Sequence, residues 1–465
     1  MKLNQKFNIL ISFVLSKILK LSYIFSKNSL KKRINEIENI NDINLKLKKF
    51  QLLGNEYGNN PYFLFEFGKF CNVFFPEKSK NVVKNLESDF TNWANKTKKK
   101  NQRYIPIETV MGSLGNYWPL FYYLINEINF EKSKVKPRLV IRPHERINND
   151  FLFKKFEKYL NVEKNTFSFF FKQNEIENLT LPISFMIKFQ QKYYPFYEGM
   201  NLVNQKLYAS KKNTFISLQL SDLEKQKGYD LLKTEGIDVK KGDWFVVLHV
   251  RETKNCLYRN ADPNSYLKAI KTIINAGGKV IRVGDKNWLG SKITELPKLE
   301  GLIDYPFTKI KSKFMDIFLA SACKFCIGTS SGYWTVASFF NKPILLTNFL
   351  PSLCYFALRK NDIFLPKTLI DKKTQKVVPL KKLFSLPFGW AGEDELYEDY
   401  TIIDNSSEEI LKATNEMLRS LEEKKSLPSN GDIKEKKLKD ELSKIHGFKL
   451  QCFAKISESF INRYH

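Results

Sequence analysis

A parallel α/β architecture in at least two domains is the fold class this sequence predicts, and three observations predict it. Strand-like and helix-like stretches alternate from residue 103 to residue 348. The strands of the second half are apolar on both faces, as in a sheet covered by helices on either side. At 465 residues and 43% hydrophobic, the chain is too long for one ordinary core and has apolar material for two.

The N-terminal stretch comes first. In residues 7–25, "FNILISFVLSKILKLSYIF", Phe7, Leu10, Ile11, Val14, Ile18, Leu21 and Phe25 recur at helical spacing. Lys17 and Lys20 interrupt the stretch, and its ten uncharged residues, Phe7 to Ser16, are too short to cross a bilayer needing about 20 apolar residues. Residues 1–35 hold eight Lys or Arg and no acid, so residues 1–30 read as an amphipathic helix and a candidate contact for an anionic membrane face. An ordinary docked helix fits equally well. Residues 31–215 are assigned to an N-terminal α/β domain, opening with Lys- and Asn-rich helices. In it "RYIPIETV" is a strand, "MGSLG" a glycine turn and "NYWPLFYYLINEI" an amphipathic helix with Pro119 in its first turn. "RLVIR" is a second strand, followed by the loop "PHERINND" and the helix "FLFKKFEKYL".

Residues 240–365 carry the clearer pattern. "WFVVLHV" is a buried strand, and "DPNSYLKAIKTIINAGG" a helix with Pro263 near its start and Gly277–Gly278 at its stop. "KVIRVGD", "KFCIG" and "PILLTN" are strands, and "FMDIFLASA" and "SGYWTVASFF" are helices. Residues 366–465 read as a helical extension, with Asn405 or Ser406 as the cap of a helix beginning at "SEEILKATNEM".

Composition excludes little by itself. A net charge of +27 and a pI near 9.5 attract polyanions, yet no RNP-like, zinc-finger or basic-zipper pattern is present and no nucleic-acid partner is expected. The six cysteines are scattered, unlike a disulfide framework, and Cys323 and Cys326 read as buried structural thiols. Neither a P-loop nor a G-x-G-x-x-G is found, and no metal site is expected.

In a doubly wound sheet, ligands bind outside the carboxyl ends of the strands. The residues there are His249, Val250, Arg251, Glu252 and Thr253, then Gly284 and Asp285, then Gly328, Thr329, Ser330, Ser331 and Gly332, then Asn348. A small, hydroxyl-rich turn opening a helix offers backbone N–H groups to an anion, and its glycines permit close approach. Arg251 would add a guanidinium fork, each charge-assisted hydrogen bond being worth roughly 1.5–3 kcal/mol. Together they describe a diphosphate pocket, against the plainer alternatives of a capping turn, a strand-end ion pair and, for His249, a core histidine.

The stretches "FVVLHVRETKNCLYRN", "VIRVGD" and "DIFLASACKFCIGTSSGYWTVASFFNKPILLTN" resemble the donor domain of GT-B glycosyltransferases. They are similar in particular to a bacterial glycosyltransferase family whose donor domain is like that of GDP-fucose-dependent fucosyltransferases. The resemblance implies two Rossmann-like domains with a cleft between them, plus helical N- and C-terminal extensions. It implies that Arg251 of the His249-Val250-Arg251 motif meets the sugar diphosphate, that Asp285 lies toward the nucleoside, and that Ser330 and Ser331 hold phosphates. Two departures stand out: Glu252 occupies the place of a second basic residue, and Arg259 stands where some fucosyltransferases carry an acid.

The expected activity is metal-independent, inverting sugar transfer from a nucleotide-diphosphate sugar, GDP-sugar favoured, to a hydroxyl of a glycan or lipid-linked acceptor. Glu108, His144, Glu145 and Glu252 are the candidate bases. No cofactor beyond the donor substrate is expected, and the expected location is cytoplasmic, peripheral at the inner face of the plasma membrane. The alternatives are a sugar-nucleotide enzyme of other chemistry, such as an epimerase, and a non-catalytic basic protein binding anionic glycolipid or sugar nucleotide.

Overall fold

The computed structural model describes residues 30–57, 63, 67, 70, 105, 109–131, 136–141, 146–164, 186–190, 192–209, 217–254, 256–288, 291–350, 358–379, 383, 398–422, 433–442 and 452–462. The amphipathic segment 1–29, most of "RYIPIETV", and the candidates Glu108, His144 and Glu145 lie outside the described residues. Among the described residues no helix is long and apolar enough to cross a membrane.

The chain divides into two compact units. The first comprises Met1–Met111, Tyr122–Ile147 and Phe156–Gly199. Its described part begins with helices Leu30–Glu38 and Ile43–Tyr57, whose apolar positions Ile34, Phe50 and Leu53 are buried. Phe50 stacks on Phe70 at 5.0 Å between ring centroids, and Phe63 on Phe67 at 5.6 Å. Strand Arg138–Ile141, the "RLVIR" of the sequence, pairs in parallel with Asn161–Lys164. An antiparallel hairpin, Met186–Phe189 with Lys192–Pro195, adds a non-parallel element that the sequence pattern did not reveal.

The second unit comprises Gly112–Phe121, Asn148–Lys155 and Met200–His465. It is built on one sheet of seven strands: β1 (Trp244–His249), β2 (Gly278–Val283), β3 (Leu302–Asp304), β4 (Cys326–Gly328), β5 (Ile344–Phe349), β6 (Ile363–Pro366) and β7 (Lys455–Ile456). All of its ladders are parallel, and the spatial order is β7-β6-β5-β4-β1-β2-β3. The sheet therefore grows outward in one direction from β1 to β3, returns to the other side of β1, and grows away again from β4. This is the Rossmann order, with its topological switch point between β1 and β4.

Phe245, Val246, Val247 and Leu248 of β1 are at most 1% exposed, each stabilising the fold by about 1.5–3 kcal/mol relative to solvent exposure. The helices that cover the sheet are α1 (Asp222–Thr234), α2 (Leu267–Asn275), α3 (Lys313–Ala322), α4 (Tyr333–Phe339) and α5 (Ser407–Glu422). α2 packs on α5, while α3 packs on α1 and α4. The start of α1 is fixed by a capping box between Ser221 and Glu224.

The region read as a C-terminal helical extension contributes more than helices. β7 joins the sheet beside β6, and α5 closes one of its layers. Ser406 caps α5, its hydroxyl accepting from Glu409 N (3.3 Å) while its own N–H donates to Glu409. Asn405 does different work: it exchanges backbone-to-amide hydrogen bonds with Asn348 at the end of β5 (2.5 and 2.7 Å).

Two segments from the N-terminal half also build the second unit. Asn149 Nδ2 donates to Lys313 O (2.9 Å), Phe151 meets Phe314 edge-on at 4.9 Å, and Lys155 pairs with Glu224. A boundary near residue 215 therefore does not separate the units cleanly. Local periodicity finds elements, but it cannot say which core each one joins.

Candidate functional site

At the switch point, the end of β1 and the turn after β4 are stitched together. Arg251 N–H donates to Thr329 Oγ1 (3.1 Å). The loop leaving β1 then closes on itself: Ala261 N–H donates to Arg251 O (3.2 Å), Thr253 N–H donates to Asn260 Oδ1 (3.1 Å), and Asn260 Nδ2 donates to Thr253 O (2.7 Å). Its short 3₁₀ turn, Leu257–Arg259, brings Arg259 back so that Nε donates to Ser330 O (2.9 Å). Two arginines are thus tied to consecutive residues of one turn.

The turn "GTSSG" is held by its own side chains. Ser330 Oγ accepts from Leu350 N (2.7 Å) and donates to Asn348 O (3.4 Å), so this hydroxyl is engaged with the end of β5 and with Leu350 just beyond it. Thr329 is fully buried. Only Ser331 and Gly332 of the turn are partly exposed, immediately before α4. A Cβ on Gly328 would lie 2.8 Å from Trp334 Cβ, so this glycine is required by packing.

Gly332 is required by something less expected. A Cβ there would lie 2.5 Å from Gly115 Cα, and a Cβ on Gly115 would lie 2.6 Å from Gly332 Cα. The "MGSLG" turn therefore crosses the start of α4 backbone to backbone, and it is continued by Trp118 edge-on to Trp334 (5.0 Å) and Phe121 against Phe339 (4.6 Å). Asn148 Nδ2 donates to Gly112 O and holds the turn from behind.

His249 lies on the same edge with its ring stacked on Tyr333 (5.3 Å, 12°). Burial, followed by the nearby Arg282 and Arg251 charges, pushes its imidazole down to about 4, which keeps it neutral at physiological pH. Its Nδ1 is buried and has no hydrogen-bond partner among the described residues, so it is not the satisfied core histidine of the plainer expectation.

Glu252 is committed elsewhere. Its Oε2 accepts from Arg282 Nη2 (2.6 Å) and its Oε1 from Thr294 N (2.9 Å). Arg282, 1% exposed, also donates through Nη1 to Asp304 Oδ1 (2.9 Å). With both oxygens engaged, Glu252 is arranged as a partner for a buried cation. Gly284 (φ +156°) leads to the half-exposed Asp285, which pairs with Lys311 (3.0 Å).

Sequence reasoning brought forward Arg251 and the β4 turn, and the structure places them together. It missed Arg259 as part of the same edge, although "LYRN" closely follows the motif. It also missed Lys367, a 1% exposed lysine whose Nζ donates to Tyr258 O (3.0 Å) and Asn260 O and pairs with Asp404 (2.7 Å). Burial lowers its pKa against the opposing pull of Asp404. Nothing local in the sequence marks that residue.

Cys323 and Cys326 are free, buried thiols; burial pushes Cys323 up to about 12 and Cys326 well above its ordinary value. Among the described residues no group of three His, Cys, Asp or Glu side chains is placed to hold a metal ion.

No family model matches the chain, and no curated protein matches it. Among solved structures it is similar to the ADP-heptose lipopolysaccharide heptosyltransferase II of E. coli, with 10% identity and a TM-score of 0.32, over 53% of this chain and 83% of that one. It is also similar to a family 9 glycosyl transferase from Veillonella parvula, with 11% identity and a TM-score of 0.39, over 69% and 98%. Both named proteins are glycosyltransferases, and neither is named as a fucosyltransferase.

Proposed function

We propose that this chain is a glycosyltransferase that draws on a nucleotide-diphosphate sugar and passes the sugar to a hydroxyl of a glycan or lipid-linked acceptor. The observation that carries this reading is the meeting of Arg251 with the Gly328–Gly332 turn at the switch point of a Rossmann-ordered sheet. As the glycosidic bond breaks, negative charge grows on the leaving diphosphate. Arg251, the N–H groups opening α4 and the Ser331 hydroxyl would stabilise it there.

Asp285, at the end of β2, is assigned to the nucleoside side of the donor. Gly284 leaves the end of β2 open, Gly328 and Gly332 let the turn pack against Trp334 and Gly115, and Thr329 and Ser330 act by fixing the backbone. His249, neutral and stacked on Tyr333, stands two residues before the motif Arg at the end of β1. Glu252 is placed as a positioning group, which leaves Glu108, His144 and Glu145 as the candidate bases for the acceptor hydroxyl. GDP as carrier rests on the resemblance of the His249–Arg251 motif. Inversion and metal independence belong to the same proposal, with arginine supplying the charge neutralisation.

The test is turnover. Purified protein is offered GDP-, UDP-, ADP- and CMP-sugars, nucleotide release is followed, and Arg251→Ala is run in parallel. Release from one donor class, reduced by about 10²-fold or more in the variant, is the expected result. A folded Arg251→Ala protein with full transfer activity contradicts the reading.

A further inference from the structure

The loop from Arg251 to Ala261 is unusually well tied for a surface connection. Its neck is closed by Ala261 N–H on Arg251 O (3.2 Å) and by the Thr253–Asn260 pair (3.1 and 2.7 Å). Its far side rests on Lys367 Nζ, which donates to the carbonyls of Tyr258 and Asn260, the two residues that flank Arg259. A buried ammonium spent on two loop carbonyls and one carboxylate is a costly arrangement unless the loop must be held still. What that loop presents is Arg259, anchored through Nε alone to Ser330 O (2.9 Å). Its two terminal nitrogens carry no partner among the described residues.

We infer that Arg259 is a second diphosphate-binding cation of the donor site, delivered by the Arg251–Ala261 loop, and that Lys367 is the positioning residue that fixes it. The inference rests on the donor-site reading above and supplies what Glu252 denies it. The residue directly after the motif Arg is an acid engaged with Arg282, so it adds no positive charge beside Arg251. Arg259 meets the need because it reaches the same turn as Arg251, one residue further along. A guanidinium held by Nε keeps its Nη fork available for two oxygens of one phosphate.

The experiment is calorimetric titration of the full chain with ADP, GDP, UDP, CDP and inorganic pyrophosphate, using wild type, Arg259→Gln, Arg259→Lys, Lys367→Met and the Arg259→Gln/Lys367→Met double variant. Thermal melts establish that each variant is folded. Arg259→Gln is expected to weaken the best-bound diphosphate by about tenfold or more, and Arg259→Lys by less. Lys367→Met is expected to weaken it as well, but to add little once Arg259 is gone; a purely structural lysine would lower the melting temperature without that coupling. Unchanged affinity in folded Arg259→Gln overturns the inference while leaving the donor site standing. A wild-type protein that binds none of the five probes overturns both.

Discussion

Two arginine-bearing strand ends lie on the same sheet edge, and they are built in opposite ways. At the ends of β2 and β3, Arg282 is 1% exposed and its terminal nitrogens are divided between Glu252 and Asp304, at 2.6 and 2.9 Å. At the ends of β1 and β4, Arg251 and Arg259 are partly exposed and are fastened through a backbone N–H and an Nε, to Thr329 and Ser330. In the first place a buried charge is neutralised inside the fold. In the second the attachment points leave the Nη fork of Arg259 turned to no protein carboxylate among the described residues. One residue type, placed a strand or two apart, thus supplies a structural ion cluster and a candidate anion site.

The comparison is broken most severely by removing the paired cation. Arg282→Met strands Glu252 and Asp304, and a loss of about 3–5 kcal/mol in urea unfolding is expected. A loss below about 1 kcal/mol would mean that the cluster carries no such weight. A smaller effect comes from pH, because His249 is buried and also feels the Arg282 and Arg251 charges. The imidazole takes up a proton near 6.5 in the unfolded chain but only near 4 in the fold. The unfolded state therefore binds more protons between those values, and stability falls as pH drops from about 6.5 toward 4, by up to about 3 kcal/mol. His249→Phe, which keeps a ring against Tyr333, should remove that part of the pH slope. Parallel curves for wild type and variant would contradict the assignment.

The smallest expected effect tests the switch-point side by steric crowding. Gly332→Ala pushes a methyl into Gly115, and a cost of about 1–3 kcal/mol is expected. The same size of loss is expected from Gly115→Ala. Because the two contacts are one contact, the double variant should be less damaging than the sum. Full additivity in the double variant would show that the backbones do not meet there.

The central strands were legible in the sequence for a physical reason. β1, β2, β4 and β5 are covered on both faces, so their apolar runs are continuous and bounded by polar or glycine residues. β3 and β7 are edge strands of three and two residues, too short to carry a pattern of their own. Arg251 and the "GTSSG" turn were legible because a parallel sheet places function after its strands. The direction of the Ser330 hydroxyl, the engagement of Glu252 by Arg282, and the support of the loop by Lys367 were not. Each depends on a contact across many residues of chain, and no local spacing encodes it. The crossing of Gly115 on Gly332 belongs to the same class, since "MGSLG" announces a turn but not its neighbour.

The central claim is that the switch point holds a diphosphate between the motif arginine and the turn before α4. A crystal structure of the chain with the nucleoside diphosphate that binds best tests it most directly. The expected density places the two phosphates within hydrogen-bond distance of the Arg251 guanidinium and of the Gly332–Tyr333 backbone, with the base toward Asp285. A nucleotide bound away from the ends of β1 and β4 would contradict the account.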